Sequence, residues 1–325
     1  MDREGGKGVL KIRLGPLELK NPLMAASGTF GYGEEMEPFV DPGAYGAVIA
    51  KSISLRPREG NPLPRVCETP AGMLNSIGLQ NPGIDAFIER YLPRLRKYAT
   101  AIVVNLVGDT IEEYVEMARR LDGEDGVGAV ELNVSCPNCP LGGMEFGIDA
   151  RATERLVAAV RRSFRGPIIA KLTPNVTDIV RIAQAAEAGG ADAVSAVNTY
   201  LGLAVDWKRR RPRLGGVTGG LSGPAIKPLA LRCVWALARS CKVPIVGIGG
   251  IMNAMDVLEF LVAGASAVQL GTVHFVRPRA ALEILSDLER IASEEGWDSI
   301  AELVGTLQTP DEAITVRVGR AAAEG

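Results

Sequence analysis

Eight short apolar runs recur along the chain, each ending abruptly in Gly, Ser, Lys, Asn, Thr or a nearby polar residue. In order they are NPLMAASG (21–28), YGAVIAKS (45–52), AIVVNLV (101–107), GAVELNVS (128–135), PIIAKLT (167–173), DAVSAVNT (192–199), VPIVGIGG (243–250) and SAVQLGT (266–272). They lack the alternation of a half-wet strand, so they read as strands buried on both faces of a parallel sheet. Between most of them, apolar residues recur three and four positions apart. That spacing predicts helices over Ile84–Tyr98, Ile111–Leu121, Arg151–Ser163, Thr177–Ala188, Ala225–Ser240 and Ala254–Ala263, with Ala280–Glu294 after the last strand. Asp109-Thr110, Thr177-Asp178 and Ser222 ahead of Pro224 are suited to cap or start helices.

Strand–helix alternation of this kind predicts an α/β fold, a (β/α)8 TIM barrel. A doubly wound sheet is the rival. It would usually carry fewer strands and a glycine fingerprint at its first turn, which ASGTFGYG (26–33) fits poorly. Ahead of the barrel, VLKIRLGPLELK (9–20) alternates apolar and polar residues around Gly15-Pro16, predicting a hairpin that plugs the barrel floor. Two connections, 53–82 and 200–223, are too long for simple turns and read as functional loops over the C-terminal face. With no linker or repeat, residues 1–325 read as one domain: hairpin cap 9–20, barrel about 21–295, C-terminal tail 296–325.

Composition narrows the function classes. Hydrophobic residues make up 47% and aromatics 5%, so the core rests on Ala, Val, Ile and Leu. A formal net charge of −2 gives no footing for nucleic acid or an anionic membrane, and the basic run Lys208–Arg213 reads as a solvated loop. No apolar run reaches the roughly 20 residues of a bilayer span, and Met1–Gly8 is too polar for a signal peptide. Five cysteines, an odd number, fit reduced thiols in the cytoplasm. A single histidine, His274, nearly excludes histidine-based triads and multi-histidine metal sites, and no metal is expected.

In barrels of this type the chemistry sits at the C-terminal strand ends. Those ends carry Ser27, Lys51-Ser52, Asn105, Asn133 with Ser135-Cys136, Lys171, Asn198-Thr199, Gly249-Gly250 and Gly271-Thr272. Serines and threonines are ordinary at strand ends. Lys51 and Lys171 are less so, because each follows an apolar run and needs an anion or acceptor partner. GIGG (247–250), LGT (270–272) and LSGP (221–224) place bare backbone where this fold usually holds a phosphate, although such turns need glycine anyway. CPNC (136–139) has the spacing of a redox pair but lacks a following helix, and zinc would need two more ligands. The favoured reading is Cys136 alone as a proton acceptor, since a thiol of pKa ~8.5 suits an activated carbon acid. Cys139 has no assigned role, and Cys67, Cys233 and Cys241 read as packing residues.

Six segments resemble, in order, those of dihydroorotate dehydrogenase catalytic subunits: AKSISLRPREGNPLPR (50–65), GMLNSIGLQNPG (72–83), ELNVSCPN (131–138), AKLTPNVTDI (170–179), VNTYLG (197–202) and TGGLSGPAIKP (218–228). The resemblance runs from about Leu19 to Phe275. It implies an FMN-bearing (β/α)8 barrel that oxidises dihydroorotate to orotate in pyrimidine synthesis. A cysteine base marks the soluble class. IGLQNPG and GGMEFG resemble the NAD-linked branch, class 1B, whose members pair with a subunit carrying FAD and an iron–sulfur cluster. The alternatives are the fumarate-linked homodimeric branch, a flavin enzyme acting on another dihydropyrimidine, a phosphate-binding aldolase using Lys171, or a barrel without chemistry. Cys139-Pro140 departs from the family pattern after SCPN.

The resemblance also implies roles. Cys136 is the catalytic base. Lys51, Asn75, Ser76, Ile77, Gly78, Leu79, Asn133, Asn198 and Thr199 bind substrate. Ser27, Lys51, Ser52, Asn105, Asn133, Lys171 and Val197 line the flavin, and Gly223, Gly249, Gly250, Gly271 and Thr272 hold its phosphate. The expected assembly is a homodimer or heterotetramer in the cytoplasm.

Overall fold

The computed structural model describes residues 8–135 and 146–310. Eight strands close a barrel: β1 (Leu23–Ala25), β2 (Ala47–Ile53), β3 (Ala101–Leu106), β4 (Val127–Asn133), β5 (Ile168–Lys171), β6 (Ala193–Ala196), β7 (Ile245–Ile248) and β8 (Ala265–Leu270). Each runs parallel to its sequence neighbour, and β8 closes on β1 through Val268 to Leu23. The eight apolar runs are these eight strands, so the barrel predicted from their pattern is the fold found. Both strand faces are buried: one packs on the helix layer, the other fills the barrel interior.

Helices return the chain between strands. Ile111–Leu121 coincides with its expected span; Thr110 caps it by accepting from the Glu113 N–H at 3.3 Å. Asp178 likewise caps Ile179–Ala188. Asn253 and Asp256 form a reciprocal capping box at Ala254–Val262. The helical stretch after Gly83 differs from expectation. It contains a π turn over Phe87–Tyr91 and its last helical segment is Leu92–Leu95, short of Tyr98. Pro93 has no N–H, which removes one ladder bond inside this stretch.

The hairpin pairs Ile12–Leu14 with Leu17–Leu19 about Gly15-Pro16. It lies at the floor: a Cβ on Gly15 would meet the Asp192 carbonyl, just before β6, at 3.1 Å.

The two long connections are not independent loops. Val66–Thr69 and Gly72–Asn75 from the first pair with Gly219–Ser222 and Tyr200–Gly202 from the second, making one four-stranded antiparallel sheet. Asn75 sits opposite Gly220 in its register. Strand periodicity is weak here: Gly219 and Gly220 supply no side chains, and the pairing spans well over a hundred residues of sequence.

Candidate active site

A cavity of about 280 Å³ opens at the C-terminal ends of the strands, beside the four-stranded sheet. It is lined by two cationic side chains, Lys51 and Lys171, and by no carboxylate among the described residues. An anionic occupant is what such a lining favours.

The first side is made of side-chain amides. Asn133, at the end of β4, is fixed at several points. Its side-chain oxygen accepts from the Ser135 N–H at 3.2 Å and from Asn198 Nδ2 at 3.3 Å, and its carbonyl accepts from the Tyr114 hydroxyl at 2.7 Å. Asn198 Oδ1 accepts from the Thr199 N–H at 2.9 Å. Asn75 reaches in from the overlying sheet, its Nδ2 donating to the Gly220 carbonyl at 3.3 Å. Several donors and acceptors thus converge on one space, as a planar amide-rich ligand requires.

Lys51 and Lys171 come up from β2 and β5. Burial pulls the Lys51 ammonium below the usual lysine range; nearby Arg65 adds to this and Glu35 opposes it. A neighbouring anion would raise it again, so Lys51 favours an acidic ligand. Ser135 Oγ donates to the Lys171 carbonyl at 3.2 Å, tying the end of β4 to that of β5.

The opposite side is backbone. Gly223 (φ 97°), Gly249 (φ 132°) and Gly250 (φ 74°) all occupy left-handed conformations that other residues rarely adopt. A Cβ on Gly250 would meet Lys227 Cβ at 2.7 Å, Lys227 N at 2.9 Å and the Gly223 carbonyl at 3.0 Å. The turns after β7 and ahead of the Lys227–Ala238 helix therefore touch through bare backbone. A Cβ on Gly271, after β8, would meet only Ala26 Cβ among the described residues, at 3.8 Å, and Thr272 Oγ1 donates to Ser222 Oγ at 2.8 Å. Bare N–H groups at the ends of strands seven and eight suit a phosphate.

His274 braces this side from behind. Its ring nitrogens bond Thr29 Oγ1 at 3.0 Å and the Tyr45 hydroxyl at 2.9 Å. Burial lowers its pKa to about 4, so it is neutral at ordinary pH, one nitrogen donating and the other accepting.

Of the residues expected in the site, Ser27, Ser52, Ile77, Gly78, Leu79, Val197 and Thr199 line the cavity together with the amides, lysines, glycines and Thr272 already described. Two do not. Ser76 is buried and turned toward Asn61, whose Nδ2 donates to its hydroxyl at 3.0 Å. Asn105 is fully buried below the cavity, its Nδ2 donating to Glu131 at 2.6 Å. Cys136 lies outside the described residues, as do Cys139 and the GGME segment. Two positions were missed. Asn175 lines the cavity and holds the β6 loop, donating to the Thr199 carbonyl at 3.0 Å and accepting from the Leu201 N–H at 2.9 Å. Its signal was the polar TPN at the end of the fifth run. Glu131 is the second; it shares the strand alternation of Asn133 within an otherwise apolar run.

Comparisons with known proteins point one way. The family model described as dihydroorotate dehydrogenase matches residues 9–292. Similar curated proteins carry the name dihydroorotate dehydrogenase B (NAD(+)), catalytic subunit. The one from Trichlorobacter lovleyi is 54% identical over 302 residues, covering 93% of this chain and 99% of its own. That from Desulforamulus reducens is 52% identical over 296 residues, covering 91% and 97%. That from Bacteroides thetaiotaomicron is 48% identical over 299 residues, covering 92% and 99%.

Proposed function

The chain belongs to the dihydroorotate dehydrogenase family, and on that premise we propose that it oxidises dihydroorotate to orotate in pyrimidine synthesis, its electrons passing to NAD through a partner subunit. The observation that carries this reading is the cavity itself. Side-chain amides face one side, bare glycine turns the other, and two lysines stand in a lining that, among the described residues, has no carboxylate.

The residues present fit FMN. The glycine turns at Gly223, Gly249, Gly250 and Gly271 with Thr272 would hold its phosphate. Ser27, Ser52, Val197 and Lys171 would line the remainder, with Asn105 acting from below. When bound, FMN supplies the acceptor for the hydride that leaves dihydroorotate. The protein does the rest. Asn75, Asn133 and Asn198, with Thr199 and the 76–79 segment, orient the substrate's ring amides and carboxylate; Lys51 neutralises that carboxylate. Lys171 would place its positive charge against the flavin from the cavity floor, where it would favour added negative charge. Cys136, which follows Ser135 directly in the chain, takes the ring proton as general base.

We further infer that residues 1–325 form one domain. The partner would carry FAD and an iron–sulfur cluster, the assembly would be a homodimer or heterotetramer, and the site of action would be the cytoplasm. The named relatives are catalytic subunits, and no helix among the described residues is long and apolar enough to cross a membrane.

The test is purification at native levels, followed by flavin and iron analysis and a dihydroorotate assay. A yellow protein that oxidises dihydroorotate supports the reading; a colourless one using Lys171 in a Schiff base overturns it. Cys136→Ala should keep its flavin and lose about 100-fold or more in turnover, and Cys136→Ser should recover activity mainly at high pH. Near-normal turnover in the alanine variant across neutral and alkaline pH removes Cys136 from the mechanism.

A further inference from the structure

A carboxylate lies inside the barrel where no step above uses it. Glu131 is fully buried on β4, one layer below the cavity. Ser195 Oγ donates to its Oε1 at 2.8 Å and Gln269 Nε2 donates to the same oxygen at 2.6 Å. Asn105 Nδ2 donates to Oε2 at 2.6 Å, and Lys171 Nζ stands 3.8 Å from that oxygen. These partners come from β6, β8, β3 and β5. Three hydrogen-bond donors and a cation around one carboxyl group suit its acceptor-only, ionised form.

The interior of such a barrel is ordinarily filled by branched apolar side chains. An apolar set of similar volume would avoid the cost of stripping water from an ion pair. Cross-linking strands is therefore a weak reason for a charge here. The partners themselves suggest a better one. Asn105, Ser195 and Gln269 do not reach the cavity; Lys171 does. Among the described residues the Lys171 ammonium has no hydrogen bond of its own, and Glu131 is the carboxylate it pairs with. At 3.8 Å the pair is held by charge while the ammonium's donors stay available to a ligand above.

We propose that Glu131 is a positioning residue that acts through Lys171: it anchors the ammonium at the cavity floor and offsets part of its positive field on whatever binds above. This rests on the reading of that occupant as a flavin. Neutralising Glu131 then leaves the Lys171 charge less balanced, and bound flavin becomes easier to reduce.

The experiment compares wild type with Glu131→Gln, which keeps the shape and removes the charge. With flavin bound, anaerobic titration against a reference dye reads the ratio of reduced to oxidised flavin at a fixed potential. The expected change is a rise of about tenfold or more, equivalent to about 30 mV for a two-electron couple. An unchanged or lowered ratio overturns the claim on the flavin, even if the variant melts earlier, because a purely structural role would not move the potential upward.

The second measurement needs no flavin. In the apoprotein, competitive acetylation followed by mass spectrometry reads the rate at Lys171 relative to the other lysines. An ammonium released from Glu131 is freer to meet the reagent, so the variant should label at Lys171 about threefold faster or more; an unchanged rate overturns the claim on the lysine. If wild type takes up no flavin, the functional reading falls, and the labelling still decides whether Glu131 governs Lys171. Should Glu131→Gln fail to fold, Glu131→Asp keeps the charge but withdraws it from Lys171. Both measures should then move the same way by a smaller amount, and no movement overturns the proposal.

Discussion

The two sides of the cavity are built by opposite means. On one, Asn75, Asn133 and Asn198 present side chains held by neighbouring side chains and carbonyls. On the other, Gly223, Gly249 and Gly250 present backbone in conformations closed to most residues. The difference sets what each side tolerates. An amide can be trimmed and leave the fold intact, losing about one hydrogen bond's worth of binding. A glycine in such a turn cannot gain even a methyl group without moving backbone.

The hardest test of that contrast is Gly250→Ala. The added Cβ combines left-handed strain with contacts of 2.7–3.0 Å to Lys227 and Gly223. Strain and overpacking each cost about 1–3 kcal/mol, so flavin affinity should fall about 100-fold or more by fluorescence titration. Affinity within a factor of three of wild type would show that the turn yields, and the contrast would dissolve.

A smaller effect asks whether the glycine side depends on any side chain. His274 is the candidate. Its pKa falls from 6.5 to about 4 on burial. The unfolded chain therefore binds a proton between those values that the folded chain refuses, and stability drops as pH falls through that window. Above pH 6.5 neither state binds it and the effect vanishes. The expected loss is about 2 kcal/mol at pH 5 and about 3 kcal/mol by pH 4. Urea unfolding at pH 5 and 7 measures it. His274→Gln should flatten this part of the slope; an unaltered slope assigns it elsewhere.

The smallest effect belongs to the amide side. Asn198→Ala removes one donor from Asn133 and one acceptor from the Thr199 N–H. The loss of about 1 kcal/mol should raise KM for dihydroorotate about fivefold while flavin stays bound. A loss of flavin instead would mean that the two sides fold as one.

The barrel was legible in the sequence because its strands are local, uninterrupted and apolar; runs such as AIVVNLV and PIIAKLT have few other uses. Motif resemblance pointed to the cavity lining for a related reason, since a residue just past a strand end has little choice of location. It was weaker on side-chain direction. Ser76, between Asn75 and Ile77, turns to Asn61 and leaves the lining to its neighbours. Asn105 points below the lining to Glu131. Glu131 itself was hidden by the apolar residues around it, although its two-residue spacing from Asn133 marked it as inward-facing. The sheet joining residues 66–75 to 200–222 was invisible, because register between segments so far apart is set in three dimensions and glycines carry little of the pattern.

That sheet has a practical consequence for anyone recombining relatives of this enzyme. Because Met73, Leu74 and Asn75 are zipped to Ser222, Leu221 and Gly220, neither crossover is a separable cassette. Exchanging one while keeping the other would misalign the seam and displace Asn75, so chimeras should carry both stretches from the same parent.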